Sequence, residues 1–424
     1  MGQEENSYSK IYKAIEEYCD REHNFDFDSK NPVIRLHEPT FGAEEIMAAL
    51  VPMLETRVTM GRRVAVFESE YGNKFGHNHC IMNNSGSSAN LLALSAMTSH
   101  LLSDPLREGD EVIVPALSWS TTIWPIVQNG LIPVFVDCDP LTWNLDIDEV
   151  RAAIGPKTKA IMLVHVYGNP CDMNAILSLA HEYKLKIIED SCESMGALYN
   201  GKSVGTFGAI GTFSFYFSHH ITTLEGGMCV TDDYELSEIM RIMRAHGWSR
   251  EALDKRLYEK MSPHIDPRFI FVEKGYNLRP TEVQASMGSV QLTKLDNIVN
   301  ARIKNAKFLQ NRLNKYSKIL QMQVETDESI SSWFGVGFVF KEPRTNAVQS
   351  IVKHLNKAHI ETRPIIAGNM TKHPAMAHIN HRINGELKCS SNIMDNGFAI
   401  GCHQALDEAA LDYMVKMFDG YFGT

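Results

Sequence analysis

Between residues 79 and 231, short segments rich in valine and isoleucine alternate with segments whose apolar residues recur at helical spacing. This alternation is typical of a mostly parallel sheet with helices packed on its faces. We therefore predict an α/β fold with a mostly parallel seven-stranded sheet. The predicted strands are residues 79–82, 111–115, 133–137, 160–166, 186–190, 212–216 and 228–231, and the helices between the earlier strands are 89–101, 123–129, 147–154 and 174–183.

The segments on either side of this alternation have other patterns. A helical pattern occurs in the polar N-terminal residues, and a long one covers 281–316. Extended segments at 322–325, 333–340 and 361–366 follow, with helices at 348–358 and 408–422. We predict an N-terminal helical extension at residues 1–38, a large domain at 39–290 and a small C-terminal α+β domain at 291–424.

Composition excludes several classes of function. The net charge is −10 and the charges are interspersed, which argues against binding to nucleic acid. No apolar run approaches the roughly 18 residues of a membrane span, and the polar N-terminus lacks an apolar signal core, so the cytoplasm is expected. The eight cysteines are scattered and are interpreted as reduced thiols. The histidines near 77–79 and 373–381 match no zinc spacing, so we predict no metal.

Two short segments place polar residues where α/β folds bind ligands. Gly86, Ser87 and Ser88 stand between a predicted strand and a helix, and a helix N-terminus can bind a phosphate. Asp190 ends a predicted strand, and ligands bind at the carboxyl ends of such strands. Taken alone, both segments are equally compatible with ordinary helix and turn capping.

Two adjacent histidines, His219 and His220, follow an aromatic run and precede a glycine pair. Histidine is the side chain whose unperturbed pKa lies nearest neutrality, so the pair indicates acid/base chemistry. A histidine in a folded chain more often has a structural role, and the pair alone does not exclude that.

The run from Ser214 to Gly227, read with the Asp190 segment, resembles the nucleotide-sugar aminotransferase branch of the fold-type I pyridoxal-phosphate enzymes. In that family a lysine that binds the cofactor covalently stands two residues before the Ile-Thr-Thr run at 221–223, and here this position is His219. Histidine at this position marks a smaller group, the nucleotide-linked 4-keto-6-deoxyhexose 3-dehydratases, which use pyridoxamine phosphate. The chain is identified as a member of that group.

The resemblance implies a role for each of several residues. His219 is the expected catalytic residue, and His220 is expected to pack behind it. Asp190 would hold the pyridine nitrogen, whereas the role of Glu193 stays open. Asn277 would reach the cofactor phosphate of the neighbouring subunit in a homodimer with shared active sites. The implied cofactor-binding residues are Gly86, Ser87, Ser88, Trp119, Asp190, Glu193, Ser214 and Asn277.

The resemblance also implies the reaction. Pyridoxamine phosphate and pyridoxal phosphate are the expected cofactors, and L-glutamate is the expected amino donor. The C3 hydroxyl of a nucleotide-linked 4-keto-6-deoxyhexose would be removed to give a 4-keto-3,6-dideoxy sugar. No cysteine occurs between residues 244 and 388, which favours the branch without an iron–sulfur cluster. That branch includes enzymes acting on GDP-4-keto-6-deoxy-D-mannose, but the nucleotide and the sugar stereochemistry stay open.

Two other functions remain possible at this point. A nucleotide-sugar aminotransferase would need a lysine at the cofactor, and the nearest ones, Lys202 and Lys255, lie outside the motif. A protein that binds the cofactor without catalysis would have no need to keep Asp190, Trp119 and Ser214 together.

Overall fold

The computed structural model describes residues 4–342 and 346–423. The strands within these residues are β1 (His79–Asn83), β2 (Glu111–Pro115), β3 (Ile132–Val136), β4 (Thr158–Val164), β5 (Lys186–Asp190), β6 (Leu198–Tyr199), β7 (Lys202–Ser203), β8 (Ile210–Ser214), β9 (Gly227–Thr231), β10 (Leu320–Met322), β11 (Ser329–Ile330), β12 (Val336–Phe340), β13 (Arg382–Ile383) and β14 (Gly397–Ile400). Three sheets result, and the largest has the order β1-β9-β8-β5-β4-β2-β3-β13.

The helices are α1 (Glu4–Glu22), α2 (Ala43–Leu54), α3 (Arg62–Phe75), α4 (Gly86–Met97), α5 (Ser120–Gln128), α6 (Ile147–Ala153), α7 (Met173–Tyr183), α8 (Tyr234–Arg244), α9 (Lys255–Met261), α10 (Glu282–Leu313), α11 (Ala347–Lys357), α12 (Lys388–Asn396) and α13 (Glu408–Phe422). None of them combines the length and the apolar content needed to cross a bilayer, as far as the described residues extend.

All seven predicted strands of the large sheet are present, and only β9 runs against the others. The prediction of seven strands was nevertheless wrong by one, because β13 pairs with the edge of β3. This eighth strand is two residues long and comes from the C-terminal part of the chain. It is too short to show an alternating pattern from which a strand could be predicted.

Helices cover both faces of the large sheet, because successive side chains of a strand point to opposite faces. On β2, Val112 and Val114 join one apolar core with α4, α5 and α8, whereas Ile113 joins another with α6 and α7. The strands are buried on both faces, as expected for parallel strands between helices. This packing fixes the carboxyl ends of the strands along one edge of the sheet.

The C-terminal residues build a separate core around the antiparallel sheet β10-β12-β14, packed against α11, α13 and the end of α10. The extended segment predicted at 361–366 is not a strand and forms only an isolated pairing between Arg363 and Ala399. The predicted domain boundary near residue 290 falls inside α10, and the division into domains stays a prediction.

The predicted N-terminal helix is confirmed as α1, but the predicted extension is not separate from the cores. Ile34 pairs with Ile360 and is buried in the C-terminal core. Its apolar side chain gains from removal from water, which ties residues 23–38 to the body of the molecule.

Candidate active site

A cavity of about 470 Å³ opens at the carboxyl ends of the strands of the large sheet. Polar and aromatic side chains from both the large-sheet region and the C-terminal region line it, as is usual for ligand sites. Seven of the nine residues predicted for the site lie on this cavity: Gly86, Ser87, Trp119, Asp190, Glu193, Ser214 and His219. The two that do not line it are Ser88 and Asn277.

The N-terminus of α4 forms one side of the cavity. Ser85 is the N-cap, and its hydroxyl oxygen accepts a hydrogen bond from the backbone N–H of Ser88 at 3.1 Å. Ser85 therefore caps the helix, and Ser88 supplies the backbone N–H that is capped. A Cβ atom on Gly86 would lie 2.5 Å from the Cβ of Ser214, so only glycine permits this close approach.

Gly86, Ser87 and Ser214, which we call the phosphate cradle, combine a helix N-terminus with two serine hydroxyls. Free backbone N–H groups and the helix dipole there favour an anion. The arrangement fits the phosphate of the cofactor that the sequence implied.

Asp190 ends β5 and is only 5% exposed. Its Oδ2 accepts hydrogen bonds from Asn90 Nδ2 at 2.8 Å and from Thr122 Oγ1 at 2.7 Å. Its Oδ1 accepts one from the backbone N–H of Cys192 at 3.2 Å. The donors fix the carboxylate at the floor of the cavity, where it fits the ring nitrogen of a pyridine cofactor. Sequence reasoning missed Asn90 and Thr122, although Asn90 lies two residues after Ser88 and Thr122 three residues after Trp119.

Trp119 lies at the start of α5, lines the cavity and is 54% exposed. An indole ring held at the mouth of a cavity presents a face for stacking on a flat ring. The aromatic side chain and the Asp190 carboxylate thus provide the two contacts that a pyridine ring requires, one on its face and one at its nitrogen.

His219 lies partly buried on the cavity wall, with its ring 5.1 Å from that of Phe334 and 6.2 Å from that of Tyr216. Burial lowers the pKa of His219 to about 3, and a hydrogen bond to the backbone carbonyl of Cys192 opposes this only in part. The imidazole is therefore neutral near pH 7 and can accept a proton.

His220 faces away from the cavity and is fully buried. Its Nε2 pairs with the carbonyl oxygen of Ser332 at 3.0 Å, and burial lowers its pKa well below the usual value. Its position behind the wall agrees with the packing role expected from the sequence.

Glu193 lies beside His219 on the cavity. Its Oε2 accepts a hydrogen bond from the backbone N–H of Tyr167 at 3.1 Å, and its Oε1 lies 4.0 Å from Arg363 Nη2. Burial raises the pKa of Glu193 to about 7, with the Arg363 charge opposing the rise. Sequence reasoning missed Arg363 and Phe334, which belong to the C-terminal part and have no motif around them.

Asn277 does not line the cavity of its own chain. Its Oδ1 accepts a hydrogen bond from Arg279 Nε at 3.0 Å, and its backbone pairs with Ala245. No lysine occurs among the described residues that line the cavity. Lys202, for example, donates to the carbonyl oxygen of Thr206 instead.

Away from the cavity, Asp137, Cys138 and Cys389 form a group within reach of a single metal ion. Sequence spacing gave no sign of it, because Cys389 is far from the other two along the chain. The Asp137 carboxylate is already engaged by the backbone N–H groups of Cys389 at 2.7 Å and Ser390 at 2.8 Å. A carboxylate saturated in this way is poorly placed to coordinate an ion.

Comparison with known proteins gives one family. Residues 41–419 match the DegT/DnrJ/EryC1/StrS aminotransferase family. The GDP-4-keto-6-deoxy-D-mannose 3-dehydratase of Yersinia pseudotuberculosis is 41% identical over 87% of this chain and 94% of its own length.

Two solved structures are also similar. The Escherichia coli GDP-4-keto-6-deoxy-D-mannose-3-dehydratase with bound hydrated PLP has a TM-score of 0.84 at 36% identity, covering 91% of this chain and 98% of that one. A GDP-4-keto-6-deoxymannose-3-dehydratase with a trapped PLP-glutamate geminal diamine has a TM-score of 0.83 at 36% identity, covering 91% and 99%.

Proposed function

The chain belongs to the DegT/DnrJ/EryC1/StrS aminotransferase family, and we propose that it is a 3-dehydratase rather than an aminotransferase. Its substrate would be a nucleotide-linked 4-keto-6-deoxyhexose, its cofactors pyridoxamine and pyridoxal phosphate, and its product a 4-keto-3,6-dideoxy sugar. One observation supports this choice above the others: the cavity presents His219, and no lysine, to the cofactor position. A histidine moves protons but forms no lasting covalent bond to an aldehyde cofactor.

The residues of the cavity would have separate roles in cofactor binding and in proton transfer. When bound, pyridoxamine phosphate supplies an amine for the C4 ketone and a ring that accepts electrons. The phosphate cradle would hold its phosphate, Asp190 would keep its ring nitrogen protonated, and Trp119 would cover its face. His219 would act first as the base that accepts a proton and then as the acid that delivers it to the departing C3 hydroxyl. L-glutamate would serve as the amino donor, with one 2-oxoglutarate and one ammonia released per turnover.

GDP is the nucleotide best supported by the relatives, since those two enzymes take their names from a GDP-linked sugar. Nucleotide sugars and free glutamate are cytoplasmic metabolites, so we place the reaction there. The decisive assay incubates the protein with glutamate, pyridoxal phosphate and a panel of GDP-, CDP- and dTDP-linked 4-keto-6-deoxyhexoses. We expect a product lacking one oxygen by mass spectrometry. An amino sugar as the main product would establish the aminotransferase instead.

We further propose a homodimer in which Asn277 of each subunit completes the other subunit's site. Large apolar side chains in the segment that precedes Asn277 in the chain are exposed, with Met261 at 69%, Phe269 at 56% and Phe271 at 58%. Exposed apolar surface of this kind marks an interaction face, and a two-fold axis would place each Asn277 beside the opposite cavity.

Subunit mixing tests the shared site. His219→Asn and Asn277→Ala homodimers should each be impaired, whereas a hybrid of the two contains one intact site. Random exchange should restore about a quarter of the wild-type activity, because half the dimers are hybrids with one working site each. No recovery in a mixture whose exchange is verified by mass would overturn the shared site.

A further inference from the structure

A buried cation lies behind the wall that carries His219. Arg302, on α10, is only 1% exposed. No carboxylate within residues 4–342 and 346–423 forms an ion pair with it, and its Nε has no hydrogen-bond partner there. A buried charge is normally paired, and an apolar side chain would fill the space at lower cost. The guanidinium cannot escape the cost by losing its proton at physiological pH.

Arg302 contacts the backbone just before β12. Its Nη1 donates to the carbonyl oxygens of Trp333 at 3.4 Å and Phe334 at 3.2 Å. Trp333 has φ +49°, a left-handed conformation that a bulky residue adopts only when its surroundings hold it. The thiol of Cys402 also donates to the Trp333 carbonyl oxygen, at 3.3 Å. Side chains from α10 and from the segment after β14 therefore fix this strained turn.

This turn at Trp333 and Phe334 contacts both histidines. The Phe334 ring lies 5.1 Å from the ring of His219 at an interplanar angle of 35°. The backbone carbonyl oxygen of Ser332, the residue before Trp333, lies 3.0 Å from His220 Nε2. Movement of the turn would therefore move the face against which His219 packs.

We propose that Arg302 is a positioning residue for the dehydration: its buried cation holds the turn at Trp333 and Phe334 against His219 and disfavours a second positive charge on that imidazole. This inference rests on the proposed function, because it assigns Arg302 to the reaction in which His219 is the proton carrier. Arg302 touches neither cofactor nor substrate and acts only through the residues in front of it.

The charges around His219 are consistent with this role. Burial is the largest cause of its lowered pKa, and positive charge on Arg363, Arg302 and His37 lowers it further. On the opposite side the carboxylates of Glu193 and Asp190 face the same cavity, and the Cys192 carbonyl accepts from the imidazole. Arg302 is the fully buried cation of this set, and it lies on the side away from the cavity.

Replacement with methionine tests the proposal, since Arg302→Met removes the charge and both hydrogen bonds while keeping an extended side chain. Loss of the cation should raise the pKa of His219, so the acid limb of the kcat/KM profile should move to higher pH by about one unit. Loss of the positioning should lower kcat roughly tenfold with little change in KM. Arg302→Lys keeps a cation, and its acid limb should stay closer to that of the wild type.

A second readout needs no turnover. The ring carbon-13 signal of labelled His219, identified by its absence in His219→Asn, should show a neutral imidazole wherever the wild-type protein is folded. In Arg302→Met it should titrate within that range. Arg241→Met, which removes another largely buried arginine that is paired with Glu68, is the stability control and should leave the titration unchanged.

Two results would overturn the proposal. Arg302→Met could lose thermal stability while its acid limb and its His219 titration match the wild type, which would make Arg302 purely structural. Arg302→Lys could shift both as far as the methionine variant, which would remove the charge from the explanation. If none of the sugars in the assay loses an oxygen, only the proposed function is contradicted. The titration of His219 would still decide the role of Arg302.

Discussion

The two sides of the cavity are built in different ways. The phosphate cradle consists of Gly86, Ser87 and Ser214, with Ser85 and Ser88 completing a local helix cap. The histidine wall, which we define as Glu193, His219, Phe334 and Arg363, brings together residues from the large-sheet region and from the C-terminal region of the chain. A local cap can be kept while the distant wall changes. The chemistry can therefore differ between relatives that hold the same cofactor phosphate in the same way.

The largest expected effect is on the dehydration rate, and it should leave cofactor binding by the phosphate cradle unchanged. His219→Asn should lower the dehydration rate by roughly 10²- to 10⁴-fold, the usual contribution of a positioned acid/base group. Cofactor affinity should be nearly unchanged, because the phosphate cradle and Asp190 are intact. Stopped-flow kinetics and cofactor titration measure the two quantities.

Two further variants test whether the effect of His219→Asn is specific to this histidine. His220→Asn should be much milder, since His220 lies behind the cavity wall. His219→Lys should hold pyridoxal phosphate covalently, as detected by borohydride trapping. Abolished turnover in His220→Asn together with a nearly wild-type His219→Asn would transfer the catalytic role to the neighbouring histidine.

The next effect breaks the phosphate cradle and leaves the histidine wall intact. Gly86→Ala would place a Cβ atom 2.5 Å from that of Ser214, and forced overpacking costs about 1–3 kcal/mol. Cofactor affinity should fall roughly 10- to 100-fold, while kcat at saturating cofactor changes little. Gly155→Ala is the matched control, because its added Cβ meets nothing within 4 Å. Equal losses in both variants would mean that the contact at Ser214 is irrelevant.

A smaller effect reports on strain in the histidine wall. The pKa of Glu193 is raised to about 7 in the folded protein, chiefly by burial, so folding disfavours its ionised form. Wild-type stability should therefore be lost as pH rises from about 4.5 to 7, and Glu193→Gln should remove that loss. The variant should be more stable by about 3 kcal/mol above pH 7 and gain nothing below pH 4.5.

Urea unfolding across this pH range measures the difference. The exposed Glu70→Gln should change stability by no more than about 0.5 kcal/mol at any pH. If Glu193→Gln were destabilising at pH 8, its ion pair with Arg363 would outweigh the burial cost.

For chelators and oxygen we expect no effect on activity. Chelators and oxygen should leave the dehydration rate unchanged, because the cavity provides no cysteine set that could hold an iron–sulfur cluster. Cys192, on the cavity, is a single thiol. Stoichiometric iron and acid-labile sulfide in the purified protein would contradict this, and activity assays under argon provide the second check.

Prediction from the sequence succeeded where the signal was local. The alternating strands lie within short segments whose pattern is set by immediate neighbours. The start of α4 was also recognised, although its N-cap is Ser85, which the sequence had not singled out, and the catalytic role of His219 stays a prediction. Arg363, Phe334 and Arg302 could not be predicted, because they come from other elements and reach the cavity region only through tertiary packing. Asn90 and Thr122 are intermediate cases, since their segments were recognised but their contact with Asp190 requires the fold.

The two-residue strand β13 has a consequence for aggregation. It pairs with β3, which would otherwise leave its backbone N–H and C=O groups open at the rim of the sheet. Arg382 reinforces the contact through two hydrogen bonds to the Glu111 carboxylate, at 3.1 and 2.7 Å. During synthesis the rim therefore stays unprotected until residues 382–383 have left the ribosome. Truncation before them would produce a chain that contains the whole run from Ser214 to Gly227 but has an open sheet edge for self-association.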